Sequence, residues 1–366
     1  MKMKEVTAII MSLIMTAGIF VGCGGSDNKN QGSSGGSSSG SNITIGLSTD
    51  EGGINDKSFN QSANEGVEKA KSEFGVNYTA IEAQKKEDYE PNLQALVDNG
   101  CNLTFAVGYQ LADAVAKVAK NNPEANFCIV DSVVEADNVE SITFKEEEGS
   151  FLVGVIAGLV TKTNKIGFIG GKDQDTIVRF EAGFAAGVAS VNPEAATGLI
   201  STDGSTPGAT VKYADSFADT NKGYELAKSL YESGCDVIYH AAGGVGIGML
   251  QATKEFKDQG KEVWAIGVDM DQAISLPEYA DVILTSMVKR VDKATYDAVK
   301  AQVDGNFKGG SKVIGIADDG VGVADSSSVN TPEDVLVKVE DYKNKIKAGE
   351  IVVPPTRTEV MNFKVQ

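Results

Sequence analysis

The sequence predicts an α/β protein made of two similar Rossmann-like lobes. Three observations predict it. The chain contains an internal repeat, each copy alternates short apolar runs with helical patterns, and residues 43–366 are numerous enough for two hydrophobic cores. Continuous apolar strands separated by helices are typical of a parallel sheet that is covered by helices on both faces.

The repeat is visible in three pairs of segments that occur in the same order. ITIGLSTD, which ends at Asp50, aligns with NKIGFIGG; at the same offset of 121 residues SFNQSANEGV lies over RFEAGFAAGV, so that Phe59 aligns with Phe180. LVDNGCNLTFAVG resembles LYESGCDVIYHAAG. NFCIVD, which ends at Asp131, resembles VWAIGVD, which ends at Asp269. Three matches in one order indicate a duplicated β-α-β-α-β unit.

The two predicted lobes exchange chain. The N-terminal lobe is predicted over 43–143, completed by about 287–320, and the C-terminal lobe over 144–286, completed by about 321–366. SITFKEEEG followed by SFLVGVIAGLV, and VILTSMVKR followed by VDKATYDAVKAQV, predict two crossings between lobes; a third is expected near GVGVADSS. A two-lobed body with several crossings is suited to hinge closure around a ligand.

The first 42 residues predict export and a tether. Two lysines precede the uncharged apolar run 6–22, which is typical of a secretory signal peptide over residues 1–22. Cys23 follows small residues, as in a bacterial lipobox, and is the predicted lipidation site; the Gly/Ser-rich stretch 23–42 predicts a flexible tether. An uncleaved membrane anchor is the alternative, but the apolar run is at the lower limit of a bilayer span.

Composition excludes several function classes. The formal net charge of −18 argues against nucleic-acid binding. With one histidine in the chain, metal sites and histidine-based catalysis have little material, and no cofactor is expected. The body has three cysteines in strand-like contexts, Cys101, Cys128 and Cys235, which predict buried thiols. An enzyme such as a nucleoside hydrolase would need aspartates around a metal or a positioned acid and base, and the sequence shows neither.

Candidate binding groups lie where predicted strands end. Ligands of parallel α/β sheets bind beyond the carboxyl ends of the strands, and Asp50, Asp131 and Asp269 end three of them. Carboxylates accept hydrogen bonds from vicinal hydroxyls or ring N–H groups, and they repel phosphate. Each could instead cap a helix. Lys289, in TSMVK, could donate to a ribose oxygen, pair with one of these acids or face solvent.

An aromatic ring in the Gly-rich loop EGGINDKSFNQSANEG is the second candidate feature. Phe59 follows the first strand and could stack on a flat ligand, while Asn60 beside it could donate to and accept from a base edge. A second ring is expected on the opposite lobe. Tyr239, before HAAGGVG, is the first candidate and Phe180 the second, and either could be core instead.

The segment after Tyr239 adds glycines but no dinucleotide motif. Gly243 and Gly244 allow a ligand to approach the backbone, and their spacing is not G-x-G-x-x-G. Trp264 is predicted to lie in the core. It is the single tryptophan of the chain, so no tryptophan is left on which a pyranose could stack. Phenylalanine or tyrosine rings combined with acids suit a nucleoside better than a bare sugar.

Six motifs carry a resemblance to a known family: GGINDKSFNQSANEG, FKEEEGSFLVGVIAG, RFEAGFAAGV, DVIYHAAGGVG, AIGVDMDQ and TSMVK. Together they cover most of 43–366 and resemble the basic membrane protein family, the purine nucleoside receptor lipoproteins of ABC importers. The resemblance implies a type I periplasmic-binding-protein fold with a purine nucleoside between two aromatic rings. The family's binding positions match a set of five residues here: Asp50, Phe59, Asn60, Asp269 and Lys289.

The resemblance implies a monomeric, lipid-anchored protein on the extracytoplasmic face of the cell membrane. It would capture guanosine, inosine or adenosine and pass it to ABC permease and ATPase subunits. Where the family pattern has a phenylalanine before HAAGG, this chain has Tyr239, which leaves the second stacking ring open. The alternatives are a receptor for a pentose or another small polyol, and a surface adhesin or immune-evasion protein.

Overall fold

The computed structural model describes residues 42–364. The predicted signal peptide, the predicted lipidation site Cys23 and nearly all of the predicted tether therefore lie outside the described residues. No helix in the described part is long and apolar enough to cross a membrane.

Twelve strands and twelve α-helices alternate along the described chain. The strands are β1 (Thr44–Thr49), β2 (Asn77–Ile81), β3 (Leu103–Val107), β4 (Asn126–Val130), β5 (Val139–Phe144), β6 (Ile166–Gly170), β7 (Val211–Tyr213), β8 (Val237–Ala241), β9 (Trp264–Asp269), β10 (Ile283–Lys289), β11 (Gly310–Ile314) and β12 (Val321–Val323). The helices are α1 (Phe59–Phe74), α2 (Tyr89–Asp98), α3 (Ala112–Asn121), α4 (Glu146–Val160), α5 (Asp175–Val191), α6 (Pro193–Ala196), α7 (Thr220–Glu232), α8 (Val245–Asp258), α9 (Gln272–Ser275), α10 (Val291–Val303), α11 (Glu333–Lys347) and α12 (Arg357–Val360).

The strands form two six-stranded sheets with the same strand order. The first has the order β2–β1–β3–β4–β5–β11 and the second β7–β6–β8–β9–β10–β12. Every neighbouring pair is parallel except β10 and β12. The equivalent order confirms the predicted fold class: two Rossmann-like lobes, each with a predominantly parallel sheet.

The central strands are buried on both faces, which explains their unbroken apolar sequences. Every residue of β3, β6 and β8 is buried beneath the flanking helices. The three cysteines of the described chain, Cys101, Cys128 and Cys235, are buried and free, as predicted. Buried thiols here contribute apolar packing and no covalent link.

The chain passes between the two sheets at three places. It leaves the first sheet after β5 and packs α4 on α5; it leaves the second after β10 and packs α10 on α1; it crosses again between β11 and β12. The predicted boundary at residues 286/287 falls inside β10, which continues to Lys289. The remaining lobe limits stay a prediction.

Repeat-related glycines allow the crossing helices to pack closely. A Cβ on Gly66 in α1 would collide with the backbone oxygen of Asp292 in α10. At the equivalent place in the second lobe, a Cβ on Gly187 in α5 would collide with the backbone oxygen of Phe151 in α4. The shared Gly-Val of the two motifs is therefore a helix-packing feature, and it holds each crossing helix against the first helix of the lobe it enters.

Candidate ligand-binding site

A cavity lies between the two sheets at the carboxyl ends of their strands. Its volume is about 490 Å³, counting the space open at its mouth, within the usual range for small-molecule pockets. Both lobes line it, through Asp50, Asp56, Phe59, Asn60, Gly108, Tyr109 and Asp131 of the first and Thr176, Ile177, Phe180, Phe217, Ala241, Ala242, Gly243, Val268, Asp269 and Lys289 of the second.

Seven of the nine predicted ligand-binding residues line this cavity: Asp50, Phe59, Asn60, Asp131, Gly243, Asp269 and Lys289. Their roles in binding stay predictions, but the structure brings them together. Gly244 and Tyr239 do not line it. Gly244 is the residue before α8, one position beyond the lining glycine.

The expectation that Tyr239 supplies a stacking ring does not fit the structure, because its side chain belongs to the core. It is fully buried in β8. Its ring packs at 5.5 Å from that of Phe168 and 4.9 Å from that of Phe184, and its hydroxyl lies 3.1 Å from Ser150 Oγ. A ring enclosed on all sides cannot lie on the face of a ligand in the cavity.

Two other rings of the second lobe do line the cavity, Phe180 and Phe217. Phe180 was the second candidate, whereas Phe217 was not predicted. Phe217 follows β7 and stands edge-on to Tyr109, with ring centroids 6.3 Å apart. Gly171 makes room for it, because a Cβ there would collide with the Phe217 ring. The missed signal is an isolated ring in a polar run, ADSFADT, the same signal that identified Phe59.

Asp56 holds the first lobe's binding loop in place, and it too was missed. Its carboxylate accepts backbone N–H bonds from Ser58 at 2.9 Å, Asn60 at 2.9 Å and Gln61 at 3.1 Å. These bonds satisfy the free N–H groups at the start of α1 and fix Phe59 at the cavity wall. Burial raises the pKa of Asp56 to about 7, although the backbone donors lower it.

Asp50 and Asn60 form one polar unit at the same wall. Asn60 Nδ2 donates to Asp50 Oδ1 at 2.8 Å, and the Gly52 N–H donates to the same oxygen at 2.9 Å. Burial raises the pKa of Asp50, while these donors lower it. Asn60 Oδ1 is buried without a partner. Buried polar atoms are almost always hydrogen-bonded, so this oxygen marks a place for a ligand donor.

Where the two lobes meet at the cavity, Lys289 joins two carboxylates. Its Nζ lies 2.5 Å from Asp131 Oδ2 and 2.9 Å from Glu146 Oε1, and the side chain is 1% exposed. Burial lowers the pKa of Lys289, but Asp131, Glu146 and Asp269 together outweigh it and raise the pKa, so the group is an ammonium. Asp131 Oδ1 is a second buried atom without a partner.

Asp131 and Asp269 share an unusual backbone conformation. Their φ angles are 67° and 63°, in the left-handed region, at equivalent strand ends of the two lobes. Non-glycine residues there are uncommon and concentrate at functional sites. Asp269 Oδ2 accepts a 2.5 Å hydrogen bond from Ser58 Oγ of the other lobe. Burial raises the pKa of Asp269 to about 6, although Lys289 and Ser58 lower it.

Direct bonds join the lobes around the cavity. Lys172 Nζ lies 2.6 Å from Glu51 Oε1 and donates to Gln110 Oε1 at 2.9 Å. Gln272 Nε2 donates to the Lys57 carbonyl at 2.9 Å. Together with the bond between Ser58 and Asp269, these contacts describe a closed arrangement of the two lobes.

Two α/β lobes that close over a cavity lined by rings and acids at their strand ends define a solute-binding protein. The model of one family, described as "ABC transporter substrate-binding protein PnrA-like" (Bmp), matches residues 43–357. The chain belongs to this family, as the sequence motifs predicted. Membership places it among the substrate-binding proteins of ABC transporters rather than among enzymes.

Relatives with similar sequences extend over nearly the whole chain. The "CD4+ T-cell-stimulating antigen" of Listeria innocua is 42% identical, covering 96% of this chain and 99% of its own. The "ABC transporter nucleoside-binding protein BmpA" of Lactococcus lactis subsp. cremoris is 36% identical with the same coverage. Among solved structures, an ABC transporter solute-binding protein from Aeropyrum pernix is 29% identical, with a TM-score of 0.74 over 87% of this chain and 96% of its own.

Proposed function

We propose that this protein captures a purine nucleoside between its lobes and delivers it to an ABC permease. The observation that carries the proposal is the cavity with rings on both lobes and with two lining residues, Asn60 and Asp131, that each have a buried oxygen without a partner. Phe59 faces it from the first lobe, and Phe180 and Phe217 from the second. A flat base between such rings gains about 1–3 kcal/mol from stacking. A relative named as a nucleoside-binding protein supports the same ligand class.

The base binds at the first lobe's polar wall. Asn60 Oδ1 has no partner, and Asp50 Oδ2 lies beside Gly108, while Asn60 and Gly52 donate to Asp50 Oδ1. Gly108 has no Cβ and a φ of 113°, so the backbone leaves space there. Two acceptors at one wall suit the N–H groups of a purine edge, which are N1–H and the 2-amino group in guanine, N1–H in hypoxanthine and the 6-amino group in adenine. Guanosine, inosine and adenosine are therefore the proposed ligands.

The ribose binds at the end where the lobes join. Asp131 Oδ1 and Asp269 supply acceptors for neighbouring hydroxyls, and Lys289 supplies a donor for a ribose oxygen. Four carboxylates line the cavity against one ammonium. A phosphate there would face net repulsion, so the ligand is the nucleoside and not its nucleotide.

We further propose that the protein is a monomeric lipoprotein of the extracytoplasmic membrane face. The apolar run 6–22, Cys23 and the Gly/Ser-rich stretch 23–42 support export, lipidation and a tether. The two lobes are proposed to span 43–143 and 144–286 with their C-terminal completions. The partners are the permease and ATPase subunits of the importer.

A thermal-unfolding series with nucleosides, free bases, pentoses and 5′-phosphates tests the ligand. Guanosine, inosine or adenosine should stabilise the protein by about 2.7 kcal/mol at a hundred times its Kd, and neither ribose nor the nucleotides should. Stabilisation by ribose but by no nucleoside would overturn the proposal in favour of a pentose or polyol receptor. Conversion of the nucleoside during the assay would indicate an enzyme.

A further inference from the structure

A buried acid outside the cavity contacts the one ammonium inside it. Glu146 is the first residue of α4, is 2% exposed and does not line the cavity. Its Oε1 lies 2.9 Å from Lys289 Nζ. Burial raises the pKa of Glu146 to about 7, and Lys289 lowers it. A carboxylate is costly to bury, so its retention beside a binding-site lysine calls for a function.

The geometry around Lys289 gives that function. An ammonium has three N–H donors; Asp131 accepts a hydrogen bond from one of them, and Glu146 forms an ion pair with the ammonium at 2.9 Å. The rings of Phe59, Phe144 and Phe180 surround the ammonium with centroids at 5.0, 5.0 and 5.4 Å, and they accept no conventional hydrogen bond. The hydrogen bond to Asp131 and the attraction of Glu146 together set the position of the ammonium, and the remaining N–H groups are left for a ligand.

Loss of the Glu146 charge would weaken this constraint, because a neutral acceptor holds an ammonium less strongly than a carboxylate does. The ammonium would keep Asp131 and the nearby charge of Asp269 as its only negative neighbours among those that raise its pKa. It would then turn toward these two acids, which are the acceptors proposed for ligand hydroxyls. The N–H groups left for a ligand would lose their direction, and the acceptors would be partly neutralised.

The position of Glu146 in the fold makes it a fixed support. It directly follows the first crossing between the sheets, and Lys289 directly precedes the second. Asp131 comes from the first lobe. Three chain segments therefore meet at one ammonium, and the support lies at the junction of the lobes rather than on a loop.

We propose that Glu146 is a positioning residue that aims the Lys289 ammonium at a hydroxyl of the bound ligand. It thereby determines the preference for hydroxylated sugars over their deoxy analogues. This inference rests on the proposed nucleoside site, because the hydroxyl in question belongs to the ribose. It adds a residue that touches no ligand and acts only through Lys289.

The test compares Glu146→Gln with the wild-type full-length protein by calorimetry. The ligands are a bound ribonucleoside, its 2′-deoxy and 3′-deoxy forms, and the free base. Glu146→Gln should weaken binding of the ribonucleoside about tenfold, which is the effect expected for the loss of one charged hydrogen bond. The affinity for the free base should change less than about twofold. The preference for the ribonucleoside over one of its deoxy forms should therefore shrink about tenfold.

The neighbouring residue supplies a matched control. Glu147 is also buried and pairs with Arg179 at 3.5 Å, not with Lys289. Glu147→Gln should leave the discrimination unchanged. In a Lys289→Gln background, adding Glu146→Gln should cause no further loss, since its target is gone. If Glu146→Gln does not fold, Glu146→Asp retracts the carboxylate by one methylene and should lose part of the discrimination.

Two results would overturn the inference. One is an equal loss for the nucleoside and its free base, which would make Glu146 merely structural. The other is full discrimination in every Glu146 variant. If the wild-type protein binds ribose and no nucleoside, the proposed function fails separately. The Glu146 variants are then compared on ribose and 2-deoxyribose with the same expectation.

Discussion

The first strand–helix loops of the two lobes occupy equivalent places and carry opposite chemistry. At the 121-residue offset, Asp50 of the first lobe corresponds to Gly171 of the second, and Asp56 corresponds to Ile177. Asp56 and Ile177 line the same cavity from opposite lobes. These two loops therefore present a polar surface from the first lobe and an apolar surface from the second. Such a pair of surfaces suits a ligand with a polar edge and flat faces.

The later strand ends of the two copies remained alike. Asp131 and Asp269 both end a strand with φ near 65°, and both lie near the single ammonium of Lys289. The two copies therefore differ in chemistry at their first strand–helix loops and agree at these later strand ends. Substitutions at the two places should affect different parts of the ligand.

The largest effect is expected at the strand ends that are alike in the two repeats, at Asp269. Asp269→Ala should weaken binding of a ribonucleoside by about 3 kcal/mol, because a buried charged acceptor is lost. The affinity for the free base should be nearly unaffected. Calorimetric titration of both ligands measures the difference. Asp271→Ala, which removes bonds to Ser326 instead, is the matched control. An equal loss for nucleoside and base would show that Asp269 does not bind the ribose.

The rings that line the cavity should give the next largest effect. Phe59→Ala should weaken the binding of nucleosides and of free bases alike by about 1–3 kcal/mol, because stacking is lost. Phe217→Leu tests the opposite wall, since it removes the ring but keeps apolar volume beside Gly171. Tyr239→Phe, in the core, should leave affinity within about twofold. Unchanged affinity in Phe59→Ala would remove the stacking role.

These rings also show where sequence reasoning stops. Unbroken apolar runs predicted the strands, and strand ends located the three acids, because chain order alone places them at one sheet edge. Tyr239 was misplaced because β8 is buried on both faces, so its sequence does not reveal which side faces a ligand. Phe217 depends on space left by Gly171, and Glu146 on a lysine 143 positions away (289 − 146). Such contacts are tertiary and have no local pattern.

The acids make affinity depend on pH. Burial raises the pKa of Asp269 to about 6, so below that pH the carboxylate is protonated and must lose its proton to accept ligand hydroxyls. Affinity should fall about tenfold at pH 5 relative to pH 7.5, the factor for one pH unit below the pKa. Titrations at four pH values measure it, and Asp269→Asn should flatten the curve.

The ligand-free protein should respond in the opposite direction. A raised carboxyl pKa means that the folded state binds the proton more tightly than the unfolded state does. Asp269 and Asp56, with pKa values of about 6 and 7, therefore stabilise the apo protein as pH falls from about 7 toward 4. Melting curves with and without nucleoside should converge at low pH. A ligand-induced shift that is the same at pH 5 and pH 7.5 would contradict this.

The smallest effect is expected at a repeat-related charge pair. Glu51 and Lys172 lie 121 positions apart and pair at 2.6 Å between the two lobes. About a quarter of each side chain is exposed, so solvent limits the pair to roughly 1 kcal/mol or less. Because the contact joins the two lobes, it should stabilise the closed form and so contribute to affinity. Glu51→Lys or Lys172→Glu alone should weaken binding up to about fivefold.

The double exchange, Glu51→Lys with Lys172→Glu, separates charge pairing from other causes. It should recover most of the affinity and lower the dissociation rate again, because the pair is restored with reversed signs. The control is Lys254 and Asp281, a pair at 2.8 Å within the second lobe, whose exchange should not affect binding. If the double exchange binds as weakly as the single variants, closure does not depend on this pair, and the contrast between the two loops would concern only the ligand-facing walls.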